Sequence, residues 1–409
     1  MDIDAHQLKA LNTLVVEILP GNRFYAVKLG EAVAPFGSLA DFVARVPFTT
    51  KEELAADHEE SPPYGTTHTH PLALYNRFHQ TSGTRGKPLI WMDDPESWEW
   101  ILGNWEAVWR GAGAVAGDCA FFPFSFGPFL GFWAGFEAAA RMGVRSVPGG
   151  GMSSEDRLGL LARCEAKILC CTPTYALRLA EVGAGMGKPV AGLGVKTIVV
   201  CGEPGGSIPE VRERIESAWG AKVVDHHGMT EIGPVTVSHE SNADWLRVLH
   251  YSYFAEVVDP ETLAPVEAGE VGELVLTTLG RYGAPLLRYR TGDLVRPVCV
   301  PGEDPAAFVL EGGIIGRADD MVVVRGVNIY PSAVESVVRG CGGIGEYQVE
   351  VDLRQALPEL LVKVEGGEGA ARELEKALRQ AFGLRIPVES VAAGSLPVFE
   401  VKAKRWVVV

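Results

Sequence analysis

The sequence predicts an α/β fold: a large N-terminal domain, residues 1–317, with parallel sheets and a β-rich subdomain, then a small C-terminal α+β domain, residues 318–409. Three observations predict it. Between residues 167 and 225, short apolar runs alternate with amphipathic segments in a β-α-β-α-β rhythm, as crossover helices on a parallel sheet require. After about residue 245 short strands follow one another directly. Beyond Gly316 strands and helices mix again.

Residues 1–60 read as helices with polar faces, ended by the turn-rich stretch Ser61 to Pro71. Ala73 to Gln80 and Leu89-Ile90-Trp91 flank a loop, Thr81 to Pro88. Trp98, Trp105 and Trp109 share one helical face, which marks a core helix. Cys119 to Phe136 is uncharged, but Pro123, Gly127, Pro128, Gly131 and Gly135 would break a spanning helix. It reads instead as a buried glycine- and aromatic-rich loop entering a helix. Lys167–Cys170, Lys196–Cys201 and Ala221–Asp225 are strands, separated by helices over Thr174–Gly185 and Ile208–Gly220. Ligands in such sheets sit at the carboxyl ends of strands, where Gly202-Glu203 and His226-His227-Gly228 lie. Phe254–Val258, Glu273–Thr277 and Val295–Val300 form the β-rich part. Then come strand Met321–Val324, helix Pro331–Arg339, strands Gln348–Val351 and Leu360–Val364, and helix Ala370–Phe382.

A chain of 409 residues has room for two to three domains. At 47% hydrophobic and 22% charged it can bury a core, which excludes a disordered chain. Asp and Glu number 52 against 37 Lys and Arg, a net charge of -15. That predicts no nucleic-acid partner and no anionic membrane surface, since both would be repelled. The longest basic cluster is Lys402, Lys404 and Arg405. Seven cysteines without CxxC spacing suit the reduced thiols of a cytoplasmic protein. The acidic start Met1-Asp2-Ile3-Asp4 lacks the basic region of a signal peptide.

The loop Thr81-Ser82-Gly83-Thr84-Arg85-Gly86-Lys87-Pro88 suits a polyphosphate. Glycine lets backbone amides approach oxygens, and the hydroxyls and Lys87 add donors. It is not a Walker A loop: Thr81 stands where the first glycine belongs and Pro88 where the magnesium-binding hydroxyl belongs. Four further segments follow. They are Gly202-Glu203-Pro204; His226-His227-Gly228-Met229-Thr230-Glu231; Tyr289-Arg290-Thr291-Gly292-Asp293-Leu294; and Gly316-Arg317-Ala318-Asp319-Asp320-Met321 running on to Arg325-Gly326-Val327-Asn328. In this order they resemble the adenylate-forming superfamily of acyl-CoA synthetases, above all the phenylacetate–CoA ligase family. Thr172-Pro173-Thr174-Tyr175-Ala176 and Asn328-Ile329-Tyr330-Pro331 add to the likeness.

The resemblance implies a two-step reaction. A carboxylate attacks the α-phosphate of ATP, giving acyl-adenylate and pyrophosphate; a thiol, usually coenzyme A, then displaces AMP. It also implies the roles. Thr81, Ser82, Gly83, Thr84 and Lys87 hold the β- and γ-phosphates. Thr230 donates to the α-phosphate and Glu231 helps hold Mg²⁺. Asp293 accepts the ribose hydroxyls with Arg317 nearby. Glu203, Pro204 and Gly205, with Asp225 and His226, line the adenine, and His227, Gly228 and Met229 belong to the same nucleotide site. Lys402 bridges carboxylate and α-phosphate, Asp319 is the hinge of a mobile small domain, and Arg325 to Asn328 faces the thiol. Phe121, Phe122, Phe124, Phe126 and Phe129, with Gly127 and Gly202, bound an apolar acyl pocket suited to an aromatic or cyclic acid.

Three departures stand out. His227 replaces the usual aromatic residue before Gly-Met-Thr-Glu. Val401 replaces the glycine before the lysine, which leaves Lys404 as a competitor. The cysteines of a structural zinc are missing, with only Cys299 beside His239 and His250 in that stretch. Transfer to an amine or a carrier-protein thiol, and a non-catalytic nucleotide-binding role, stay open beside the CoA ligase. So does a homodimer.

Overall fold

The computed structural model describes residues 2–31, 34–81, 88–318, 320–325, 327–352, 354, 358–397, 399 and 403–409, and only the backbone at 328. Four helices open the chain: α1 (Ile3–Ile18), α2 (Arg23–Leu29), α3 (Leu39–Arg45) and α4 (Lys51–Glu60). Asp2, Asn22, Ser38 and Thr50 cap their first turns by accepting from otherwise unpaired backbone N–H groups. A hairpin of β1 (Arg77–Gln80) and β2 (Ile90–Asp93) closes the loop that contains residues 82–87. Helix α5 (Pro95–Gly111) follows its cap Asp94 and buries Trp98, Trp105 and Trp109, the stripe expected of a core helix.

The central layer is one five-stranded parallel sheet rather than several. Its strands are β3 (Cys119–Phe122), β4 (Arg145–Pro148), β5 (Ile168–Cys171), β6 (Thr197–Val200) and β7 (Lys222–Asp225), in the order β4-β3-β5-β6-β7. Crossover helices α6 (Leu130–Arg141), α7 (Ser154–Arg163), α8 (Pro173–Gly185) and α9 (Pro209–Trp219) cover it. Helices α5 and α6 pack one face; α7, α8 and α9 pack the other. The inner strands β3 and β5 are therefore apolar and buried throughout, as parallel strands covered on both faces must be, whereas edge strand β4 is partly exposed.

Beyond the sheet lies the short hairpin β8 (Gly228–Met229) and β9 (Gly233–Pro234). Two antiparallel sheets follow. One takes β10 (Thr236–Ser238), β11 (Trp245–Val248), β16 (Val309–Glu311) and β15 (Pro297–Val298); the other takes β12 (Tyr253–Val258), β13 (Gly272–Thr278), β14 (Tyr289–Val295) and β17 (Gly316–Arg317). The strand expected over Val295–Val300 is thus divided. The long strand lies upstream and carries the Tyr-Arg-Thr-Gly-Asp-Leu segment itself.

A separate hydrophobic core gathers the last part of the chain. Hairpin β18 (Val322–Val324) and β19 (Val327–Ile329) precedes α10 (Pro331–Gly340). Strands β20 (Ile344–Asp352), β21 (Glu359–Gly366), β22 (Val388–Val391) and β23 (Trp406–Val408) form the sheet β22-β21-β20-β23, with α11 (Glu368–Phe382) packed on it. No described helix is long and apolar enough to cross a membrane.

Candidate active site

The carboxyl ends of β3, β5, β6 and β7 converge with the hairpin turn after β8 and with β14. The loop after β6 is held tightly. A Cβ on Gly206 would stand 2.5 Å from Asp225 Cγ, so only glycine lets that loop close over the end of β7. Glu203 Oε1 accepts from the Thr174 N–H at 2.9 Å, and Oε2 from the Ala403 N–H at 3.0 Å. Asp225 is buried and accepts from Ser207 Oγ at 2.6 Å and from the His226 N–H at 2.9 Å. Burial raises its pKa.

The adjacent histidines diverge. His226 turns inward, donates from Nδ1 to Thr236 O at 2.7 Å and rests against Trp105, with ring centroids 4.4 Å apart. Burial pushes its pKa down to about 4, so the ring is neutral. His226 is therefore committed to the core. His227 turns the other way and brings Nε2 to 3.1 Å from Asp293 Oδ2.

Asp293 sits on β14 where the register slips between Glu273 and Val275. Gly292 has φ +75°, which suits glycine, and a Cβ there would stand 2.8 Å from Arg317 Nη2. Arg317, opposite on β17, donates from Nη1 to Asp293 Oδ1 at 2.9 Å. The carboxylate thus sits between the Arg317 guanidinium and the His227 ring, on a strand paired on both sides.

Thr230 and Glu231 form the tight turn between β8 and β9. Arg281, fully buried, holds that turn from beneath. Its Nη1 donates to Glu231 O at 2.7 Å and to Thr230 O at 3.3 Å, while Nε and Nη2 meet Asp93 Oδ1 and Oδ2, both at 2.7 Å. The Tyr253 hydroxyl donates to Ile232 O at 3.1 Å. The Glu231 side chain meets Lys51 Nζ at 3.2 Å. Leu54 of α4, Leu89 just past the phosphate-type loop, and Ile232 share one core, so the mouth of that loop lies beside the turn. Thr81 pairs with Leu89 through both its backbone N–H and its side-chain oxygen, which closes the loop's neck.

Residues 78–280 match the AMP-binding enzyme family, and residues 326–408 match the AMP-binding enzyme C-terminal domain. The phenylacetate-coenzyme A ligase of Thermus thermophilus is 33% identical over 384 residues, 91% of this chain and 82% of that protein. The Escherichia coli phenylacetate-coenzyme A ligase is 30% identical over 388 residues, 90% of this chain and 86% of its own. The chain belongs to the AMP-binding enzyme family. It is an AMP-forming acyl-CoA ligase, and ATP and coenzyme A are substrates of that family. The ligase reading thereby prevails over amine transfer, carrier-protein transfer and lost catalysis.

The ligase superposes on a 2-hydroxyisobutyryl-CoA ligase in its postadenylation state with 2-HIB-AMP at a TM-score of 0.92, with 30% identity, covering 99% of this chain and 89% of that one. Against the same relative in its thioesterification state with 2-HIB-AMP and CoA, the TM-score is 0.73. The arrangement described here thus superposes better on the relative's postadenylation structure than on its thioesterification structure.

The residues expected to bound an acyl pocket split into two groups. Phe121 faces the opposite side of the sheet, among Leu169, Tyr175 and Ala176, and does not join the others. Parity explains it: adjacent residues on a doubly buried strand face opposite layers. Phe122 and Phe124 lie in the α5–α6 layer, where Phe126, Phe132, Phe136 and Cys201 pack against them. Phe124 stacks on Phe132 at 4.1 Å, and Phe126 lies 5.3 Å from Phe124 and 5.2 Å from Phe136. Gly127 O accepts from Trp133 Nε1 at 2.9 Å. Cys201 ties this aromatic wall to Gly202. Arg325 stands at the β18–β19 hairpin tip and donates to Glu359 at 3.1 Å, within the C-terminal part. Asn328 is on β19. Ser82, Gly83, Thr84, Lys87, Asp319 and Lys402 lie outside the described residues.

Sequence reasoning missed Lys51, Asp93 and Arg281. Lys51 carries only a helix-start signal after Thr50. Arg281 meets its partner across 188 positions, a pairing that only the tertiary fold creates.

Proposed function

We propose that this ligase activates an aromatic or cyclic carboxylic acid with ATP and passes the acyl group to coenzyme A. The supporting observation is the aromatic wall of Phe124, Phe126, Phe132 and Phe136 beside Cys201 and Gly202, next to the Asp293–His227–Arg317 cluster. An apolar, ring-lined wall favours a flat or cyclic acyl group and leaves the carboxylate to the polar turn.

In this reading Asp293 accepts the ribose hydroxyls, since a carboxylate has about four acceptor sites. Arg317 and His227 fix its orientation. Gly205 with Pro204 and Met229 with Gly228 border the base. Thr230 donates to the α-phosphate as the acid's carboxylate oxygen attacks phosphorus and pyrophosphate leaves. Glu231 is a buried carboxylate at the apex of the turn, and its described partner, Lys51, is half-exposed and free to swing. Such an oxygen ligand fits Mg²⁺, which favours carboxylates together with substrate phosphates and would neutralise the polyphosphate. Lys402 then stabilises charge between carboxylate and phosphate. The coenzyme A thiol attacks the acyl carbon and AMP departs, with Arg325 and Asn328 on the thiol side after rotation about Asp319. A boundary near 317/318 is supported by the pairing of Arg317 with β14 and by the packing of Val324 and Ile329 in the C-terminal core. Seven unpaired cysteines favour a cytoplasmic setting.

ATP–pyrophosphate exchange across a panel of aromatic, alicyclic and short aliphatic acids, followed by CoA-dependent AMP release, tests the reading. Exchange supported by ring acids is expected. Exchange confined to short aliphatic acids would overturn the substrate class.

A further inference from the structure

We propose that Glu203 is a positioning residue for adenylation: its carboxylate ties the N-terminus of α8 to the backbone of Ala403, and so docks the segment that follows Lys402. This rests on the two-step reading above. By resemblance Glu203 belongs with the adenine, yet both of its oxygens are engaged elsewhere. Oε1 accepts from Thr174, the second residue of α8, where a carboxylate complements the helix N-terminus. That bond fixes the side chain and directs Oε2 at the Ala403 N–H, 3.0 Å away. Both are hydrogen bonds to a charged acceptor, the stronger kind.

The tail is equally fixed from its own side. Arg405 is buried and grips Glu346 Oε1 and Oε2 at 2.6 and 3.1 Å, beneath the face of β20. Its Nη1 also reaches Thr174 Oγ1 at 3.5 Å. Residues 403–405 therefore bridge the C-terminal core and the start of α8. A second seam runs from Ser336 on α10 to Glu210 on α9, 2.9 Å apart. The whole chain superposes far better on the postadenylation relative than on the thioesterification one. We assign the Glu203–Ala403 contact to the first arrangement alone, so losing it should slow adenylation and spare thioester formation.

The experiment uses the full chain with Glu203→Gln and Glu203→Ala. In the glutamine variant the amide oxygen keeps the helix contact, while its NH₂ faces the Ala403 N–H and cannot accept from it. Three quantities are read: kcat and KM for ATP in pyrophosphate exchange, thioester formation from supplied acyl-adenylate and CoA, and amide hydrogen exchange in the peptide containing Ala403. Expected are a roughly ten- to hundredfold fall in exchange kcat, ATP KM and thioester formation each within about threefold, and lost protection at Ala403. A raised ATP KM with unchanged kcat would mean that Glu203 serves the adenine, and would sink the proposal. So would an equal fall in both half-reactions, or unaltered protection at Ala403. Should the wild type exchange with no acid tested, the substrate reading fails by itself, and protection at Ala403 still decides the docking contact. If the alanine variant does not fold, the glutamine variant carries the test.

Discussion

His227 Nε2 lies 3.1 Å from Asp293 Oδ2, on the opposite edge of the carboxylate from Arg317 Nη1 at 2.9 Å. A residue type that departs from the expected aromatic therefore does something an aromatic ring cannot. It sets an imidazole nitrogen against the carboxylate assigned to the ribose, a close polar contact on the side away from Arg317. Preorganised acceptors cost less to align when the ligand binds.

Asp293→Ala should weaken AMP and ATP. It removes an acceptor of charged hydrogen bonds, worth about 1.5–3 kcal/mol, or roughly tenfold or more in affinity. Calorimetric titration with AMP measures this. An unchanged dissociation constant would remove Asp293 from the nucleotide site.

Arg281 and Asp93 form a fully buried bidentate pair under the Thr230–Glu231 turn. Arg281→Met alone strands the Asp93 charge and should cost about 3–5 kcal/mol of stability. Combining it with Asp93→Leu removes both charges and should restore most of that stability. Pyrophosphate exchange should stay depressed in the double variant, because the carbonyls of Thr230 and Glu231 have lost their anchor. Denaturant melts and exchange rates on the same samples separate the two effects. Recovery of both together would reduce the pair to a stability element.

The sequence made the central sheet readable because strands buried on both faces are continuous apolar runs, as in Ile168–Cys171 and Thr197–Val200. That same property hid which way Phe121 faces, since no polar alternation marks the parity. The Thr-Gly-Asp segment reads locally as a turn. It is a strand because the slipped register absorbs Gly292, and buried Glu273 accepts from Arg290 Nε at 2.8 Å and from the Gly292 N–H at 3.0 Å. Lys51 and Arg281 were illegible for another reason. Each meets its partner more than a hundred residues away in sequence, at 180 and 188 positions, and neither has a local pattern to betray it.

Acid should destabilise the protein through its buried imidazoles. Burial holds both His226 and His79 at about 4, below the roughly 6.5 of an unfolded chain. As pH falls through 6.5 the unfolded state takes up protons that the native state refuses. The stability these groups contribute is complete above about pH 6.5 and is lost progressively down to about pH 4. Each depression contributes on the order of 3 kcal/mol. Urea unfolding between pH 7.5 and 4.5 should show the decline. His226→Asn, whose amide can still donate to Thr236 O, should flatten it. An identical pH slope in that variant would clear His226 of the effect.

The last question is which lysine of the tail acts. Ala403 is fastened to Glu203, Arg405 is buried against Glu346, and Lys404 between them is exposed. A side chain turned to solvent at that point is poorly placed to reach between an acyl carboxylate and an α-phosphate, which favours the proposal that Lys402 acts. Lys402→Ala should depress acyl-adenylate formation by roughly two to three decades, the scale of removing one preorganised donor. It should leave thioester formation from supplied acyl-adenylate and CoA nearly intact. Asp319→Pro should show the reverse pattern, because a fixed φ resists the rotation that the second step needs. Lys404→Ala should leave both half-reactions within about threefold, as exposed substitutions usually do. If instead Lys404→Ala loses adenylation while Lys402→Ala keeps it, the acting lysine is Lys404, and the contact between Glu203 and Ala403 presents the residue after it rather than the one before.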